Sequence, residues 1–282
     1  MNDRAWLDAQ YNVRAGIDDY LSVFSRFSRV SAPVRARRDA VLEVFYGDNA
    51  LQSVDVFPAR ESTGADPVLV FLHGGYWQSL DKSMFAFLAQ SYIERGVCFA
   101  AVNYRLAPAV GMDEIVADVR DAIGLVHDKA ADFGADPNRL YVAGHSAGGH
   151  LTARMLATRW AELGRPADLI KGGCAISGLY DLDPIQRCYL NDVVGMDEAT
   201  AQRHSPVHAE PAVPTPLILS VGGDESAEFH RQQREFAAAW RGRGHDCRVV
   251  DQPDGHHFRA VERLSEQGDP LFEATLGMVR DE

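Results

Sequence analysis

The sequence predicts an α/β fold with a mostly parallel central sheet, helices on both faces and an N-terminal antiparallel hairpin. Three observations point there. Short, largely apolar runs at residues 68–72, 97–102 and 216–221 alternate with stretches of helical periodicity, the pattern of parallel strands buried on both faces. Near the start, two alternating runs at 41–46 and 52–57 flank the turn residues Gly47, Asp48 and Asn49, which signals a hairpin. Polar, glycine-bearing turns follow several apolar runs directly, where parallel sheets place their ligand sites.

Taken in order, residues 1–40 read as a polar helical leader, with Tyr20, Phe24 and Phe27 at helical spacing for packing. Such a leader is also expected to cover a pocket mouth. The hairpin follows, then a strand at 68–72 that feeds a glycine turn, an amphipathic helix at 84–95 and a strand at 97–102. A helix at 113–133 buries Ile115, Val119, Ala122, Ile123 and Val126, and Gly134 with Pro137 closes it. The apolar residues 140–143 lead into Ser146, and the next helix sets Leu151, Met155 and Leu156 on one face. Strands at 172–177, 216–221 and 247–251, with a helix at 226–241, continue the alternation around an irregular, cap-like insertion at about 180–214. Nothing reads as a linker, so residues 1–282 are expected to form one domain.

Composition narrows the class. The chain is 46% hydrophobic and 24% charged, with 28 basic against 40 acidic residues and a net charge of −12. That balance argues against a nucleic-acid surface. The first ten residues mix both charge signs, and no run is long and apolar enough to span a bilayer, so a cytoplasmic protein is expected. Cys98, Cys174, Cys188 and Cys247 lack paired spacing and read as free thiols.

Chemistry centres on Gly144-His145-Ser146-Ala147-Gly148. This is G-x-S-x-G between an apolar strand and a helix, in which small neighbours let a serine stand clear of a sharp turn. Ser146 is the candidate nucleophile. A Walker A loop would need Gly-Lys-Ser/Thr where Gly149-His150-Leu151 stands, and a dinucleotide fingerprint would need glycine at Ser146. A serine hydroxyl needs a base held by a carboxylate. Asp224, after a strand and a glycine pair, is the expected acid, with Asp181 and Asp183 as alternatives. The base is His256 or His257; His257 is preferred because the apolar Phe258 follows it and anchors the last helix. His145, His150, His204 and His208 are expected to serve as hydrogen-bonding turn, helix or loop residues. For the oxyanion, the turn His73-Gly74-Gly75-Tyr76-Trp77 offers the N–H groups of Gly74 and Gly75, and Ala147 offers another. H-E-x-x-H is absent and no cofactor or metal is expected.

With these residues assembled, the chain resembles the α/β-hydrolase superfamily over roughly residues 40–280, in the esterase/lipase branch marked by an HGG motif. More narrowly, His73-Gly74-Gly75-Tyr76-Trp77, the run from Gly144 to His150, and Ser177-Gly178-Leu179-Tyr180-Asp181-Leu182 are similar to the kynurenine formamidase (arylformamidase) group and its bacterial relatives. Tyr11-Asn12 adds to the likeness. The resemblance implies a Ser146–Asp224–His257 triad, a His73-loop oxyanion hole, and a small ester or amide substrate such as N-formylkynurenine. A short-chain carboxylesterase is the alternative, and a binding protein on a hydrolase scaffold a remoter one. Tyr76 and Trp77 stand where related lipases carry glycine, and their bulk is expected to select small acyl groups. Tyr180 is expected to help hold an aryl amine. A homodimer is compatible with the sequence.

Overall fold

The computed structural model describes residues 3–281; residues 1, 2 and 282 of the expected domain lie outside them. Helices α1 (Arg4–Tyr11) and α2 (Tyr20–Arg35) form the leader. The hairpin β1 (Val41–Phe45) and β2 (Ser53–Phe57) follows, then β3 (Asp66–Leu72), α3 (Ala89–Ile93), β4 (Cys98–Val102) and α4 (Met112–Lys129). Next come β5 (Ala135–His145), α5 (Ala147–Leu156) and β6 (Ile170–Ile176). Short helices α6 (Asp183–Gln186), α7 (Asn191–Val194) and α8 (Glu198–His204) occupy the insertion. The chain ends with β7 (Leu217–Gly222), α9 (Ala227–Gly242), β8 (Cys247–Gln252), α10 (His257–Glu262) and α11 (Pro270–Arg280).

The eight strands run β1-β2-β4-β3-β5-β6-β7-β8 across one sheet. β2 is antiparallel to both β1 and β4, and every later pairing is parallel. This is the order of the α/β-hydrolase fold. The connection from β3 goes to one side and β5 returns on the other, so the carboxyl ends of β3 and β5 flank a switch point. There the loops diverge and leave a crevice for a ligand.

Alternation along each strand fills two cores. Val68, Val70 and Leu72 of β3 pack with α4 and α5 on one face, while Leu69 and Phe71 pack with α3 and α11 on the other. At α4 the apolar stripe Ile115, Val119, Ala122, Ile123 and Val126 is fully buried, and Gly134 ends the following turn in the left-handed region at φ 76°, as a C-terminal glycine does.

Three elements differ from the periodicity. Residues 82–88 are a 3₁₀ helix before α3, because Ser31 Oγ intervenes: it donates to Met84 O at 2.9 Å and accepts from Phe87 N at 3.0 Å. β5 starts earlier than its apolar run, at Ala135, which pairs with Asp66 across an irregular register. The 180–214 insertion holds the three short helices α6, α7 and α8. All four cysteines are free, three of them buried. Among the described residues no helix is long and apolar enough to cross a membrane.

Candidate active site

Ser146 joins β5 to α5 with φ 58° and ψ −119°, a conformation that L-residues adopt only when the surroundings enforce it. The flanking glycines explain how. A Cβ on Gly144 would lie 2.2 Å from Gly148 O, and one on Gly148 would lie 1.9 Å from Leu72 O. The turn therefore closes on itself and presses α5 against the end of β3. Ser146 N donates to Ile176 O at 2.8 Å, which ties the elbow to β6. Ala147 opens α5, and first-turn amides have no partner within their own helix.

The loop after β3 lies beside this elbow. A Cβ on Gly74 would fall 3.0 Å from both Ser146 Cβ and His145 O. Gly75 has φ 105°, and a Cβ there would meet Ser79 O at 2.1 Å. Tyr76, Trp77 and Leu80 also take positive φ, so the loop is tightly wound where it meets the elbow. Beneath it, Trp77 Nε1 donates to His150 Nδ1 at 3.2 Å, and His150 Nε2 donates to His204 O at 2.9 Å. His73 stacks on Tyr104 with ring centres 4.5 Å apart.

His257 opens α10 and places Nδ1 2.5 Å from Glu225 Oε2. The other oxygen of Glu225 accepts from Ser177 Oγ at 2.5 Å and from Gly222 N at 2.8 Å, so the carboxylate is fixed and its side chain only 2% exposed. The expectation for Asp224 is corrected here. Its side chain instead accepts from Gly255 N at 2.8 Å and its own N–H donates to Gly255 O, closing the loops after β7 and β8 onto each other. Of the alternative acids, Asp181 pairs with Arg231 and Asp183 with Arg187. His256 is the N-cap of α10, accepting from Arg259 N at 3.2 Å, whereas His257 lines the same cavity as Ser146.

His145, between Gly144 and Ser146, fills the hydrogen-bonding turn role expected of it, and its partner is the candidate base. Its Nε2 lies 2.9 Å from His257 O, and its ring centre 4.5 Å from that of His257. A carbonyl can only accept, so Nε2 carries the hydrogen. Burial drives the His145 pKa well below the ordinary histidine value, with His257 adding to the effect, and His145 stays neutral.

Ser146, His145 and His257 share a cavity of about 420 Å³. Gly75, Tyr76 and Ser79 form one wall; Asn12, Val13, Arg14 and Phe24 come over it from the leader, and Tyr189 and Leu190 from the insertion. Tyr76 donates its hydroxyl to Tyr11 O at 2.6 Å. Two expected substrate contacts are corrected. Trp77 is fully buried beneath the loop against His150, and Tyr180 is buried with its ring stacked on Phe236 at 4.2 Å; neither lines the cavity. Both are large, mostly apolar side chains, and burying them removes that surface from water. Among the described residues no group of three or more histidine, cysteine or acidic side chains is placed to hold a metal ion.

The BD-FAE family profile matches residues 54–167. Kynurenine formamidase of Salmo salar is 30% identical over 284 residues, covering 98% of this chain and 95% of that protein. The Danio rerio kynurenine formamidase is 30% identical over 277 residues, with coverage of 96% and 93%. A crystal structure described as a candidate thioesterase, from Silicibacter sp. TM1040, superposes with a TM-score of 0.84 at 28% identity, covering 97% of this chain and 98% of the other. Likeness of this extent, on a sheet of this order, makes the chain a hydrolase that acts on an acyl or formyl group, and it belongs to the kynurenine formamidase family.

Proposed function

We propose that the protein is a serine hydrolase that removes formyl from an aryl amide such as N-formylkynurenine, with Ser146, His257 and Glu225 as its triad. The observation that carries this reading is the buried Glu225–His257 hydrogen bond beside Ser146 in one cavity. Glu225 engages Nδ1, so Nε2 is the nitrogen free to take the serine proton. The Ser146 oxygen then attacks the carbonyl carbon, and the developing oxyanion rests on backbone N–H groups of the His73 loop, Gly74 or Gly75, and of Ala147. As the tetrahedral intermediate collapses, the C–N bond breaks and His257 returns the proton to the leaving amine. Water, deprotonated by His257, attacks the formyl ester, releasing formate and restoring Ser146.

The leader and the insertion act as a fixed cap over this site, on the strength of the cavity walls they supply. The four free thiols suit a reducing cytoplasm. The carboxylesterase reading keeps the same machinery with a different substrate. Two measurements test the proposal. A fluorophosphonate probe should label the wild type and not Ser146→Ala; labelling of the variant would displace Ser146 from the nucleophile's role. Turnover of N-formylkynurenine should exceed that of phenyl acetate in kcat/KM, and the opposite order would favour the esterase.

A further inference from the structure

The cavity contains one permanently charged side chain, and it is a cation. Among its lining residues, Arg14 is accompanied by aromatic, aliphatic, amide, hydroxyl and histidine groups but by no lysine, aspartate or glutamate. In a chain with twelve more acidic than basic residues, a pocket wall that excludes carboxylates and keeps a guanidinium is a distinct local environment. Arg14 also has no ion pair with a carboxylate among the described residues; its contact is with the Tyr20 ring, 5.0 Å from the guanidinium carbon. That contact is with a ring and not with a carboxylate, and the N–H groups of a guanidinium are the part that reads a carboxylate.

The backbone under Arg14 is held. Tyr11, three residues earlier, is fully buried, with its hydroxyl bonded to Glu228 at 2.7 Å and its carbonyl accepting from Tyr76. Ala15 N donates to Asn12 O and Ile17 N to Arg14 O, which folds residues 12–17 into consecutive turns. The site is also polarised along its length. Ser146, His145 and His257 at the inner end are buried, whereas Asn12 and Arg14 are exposed at the outer end. An acyl group bonded to Ser146 occupies the inner end, so the leaving group is the part of the substrate that extends toward Arg14.

We propose that Arg14 is a specificity-determining residue that selects substrates whose aromatic leaving group carries a carboxylate. This rests on the hydrolase reading above and adds a charge requirement on the leaving group. The guanidinium binds that carboxylate at the cavity mouth and acts on substrate capture rather than on bond cleavage.

The test uses two matched pairs: phenyl acetate with 3-acetoxybenzoate, and formanilide with 3-formamidobenzoate. In each pair the wild type should favour the anionic member in kcat/KM by about fivefold, the scale of a partly exposed ion pair, and added salt should shrink the preference. Arg14→Gln should abolish the preference mainly through KM, and Arg14→Lys should retain part of it, with thermal unfolding checking that both variants fold. A preference that persists in Arg14→Gln, or that is absent from the wild type in both pairs, overturns the proposal. Hydrolysis of the ester pair alone, with an Arg14-dependent charge preference, would reject the formamidase reading while upholding the role of Arg14.

Discussion

Glu225 and Asp224 are adjacent in sequence but differ in what they hold. Glu225 receives His257, Ser177 and Gly222; Asp224 receives Gly255. If the triad is as proposed, Glu225→Gln should lower kcat by about two to four orders of magnitude, because the amide cannot stabilise the imidazolium. Asp224→Asn keeps an oxygen for Gly255 N and should stay close to wild type. Steady-state kinetics of the two variants measure this, and the reverse ranking would return the acid to Asp224. The position of an acid after β7 was legible in Gly222-Gly223-Asp224-Glu225, but which of two consecutive carboxylates turns inward depends on the φ and ψ of the loop. Ser146 and the histidine pair were legible because strand-to-helix turns and post-strand loops have local signatures. The roles of Trp77 and Tyr180 were not, since an aromatic residue near a site reads the same whether it faces substrate or core.

At the scale of elements, the leader is fastened by a polar knot. Tyr11 Oη donates to Glu228 and accepts from Gln232 Nε2 at 3.0 Å, while Arg231 pairs with both Glu228 and Asp181 of the insertion. Burial and the adjacent Glu228 keep the Tyr11 phenol protonated, so it can serve as that donor. Tyr11→Phe leaves a buried carboxylate and a buried amide each short of a partner, at about 1–3 kcal/mol. The expected outcome is faster proteolytic cleavage within residues 12–19 and a raised KM with kcat less affected. Unchanged proteolysis and kinetics would show that the leader is held by its apolar contacts instead. The leader's helices and aromatic stripe were readable from periodicity. The knot was not, because Tyr11 lies 217 and 221 residues from Glu228 and Gln232 in the chain and only the fold brings them together.

For the whole molecule, the sheet order was within reach because parallel strands separated by helices admit few crossovers, whereas the insertion's short helices lack a stripe long enough to read. Stability should respond to acid through the buried histidines. Burial lowers the pKa of His73, His145 and His150 below 6.5. In the unfolded chain these groups take up protons below that value while the folded protein resists, so stability is full above pH 6.5 and falls as pH drops toward the folded pKa values. Each such histidine contributes a slope of about 1.4 kcal/mol per pH unit. Denaturant midpoints should decline from pH 7.5 to 5.5, and a flat profile would contradict neutral burial. His150 has a stricter consequence than the others. With an indole hydrogen arriving at one nitrogen and a carbonyl waiting at the other, its ring is keyed to a single tautomer and orientation: reversal would set hydrogen against hydrogen at Trp77 and two lone-pair bearers against each other at His204. The loop carrying Gly74 and Gly75 thus rests on a joint that fits one way round, and its distance from α5 is set by the width of an imidazole.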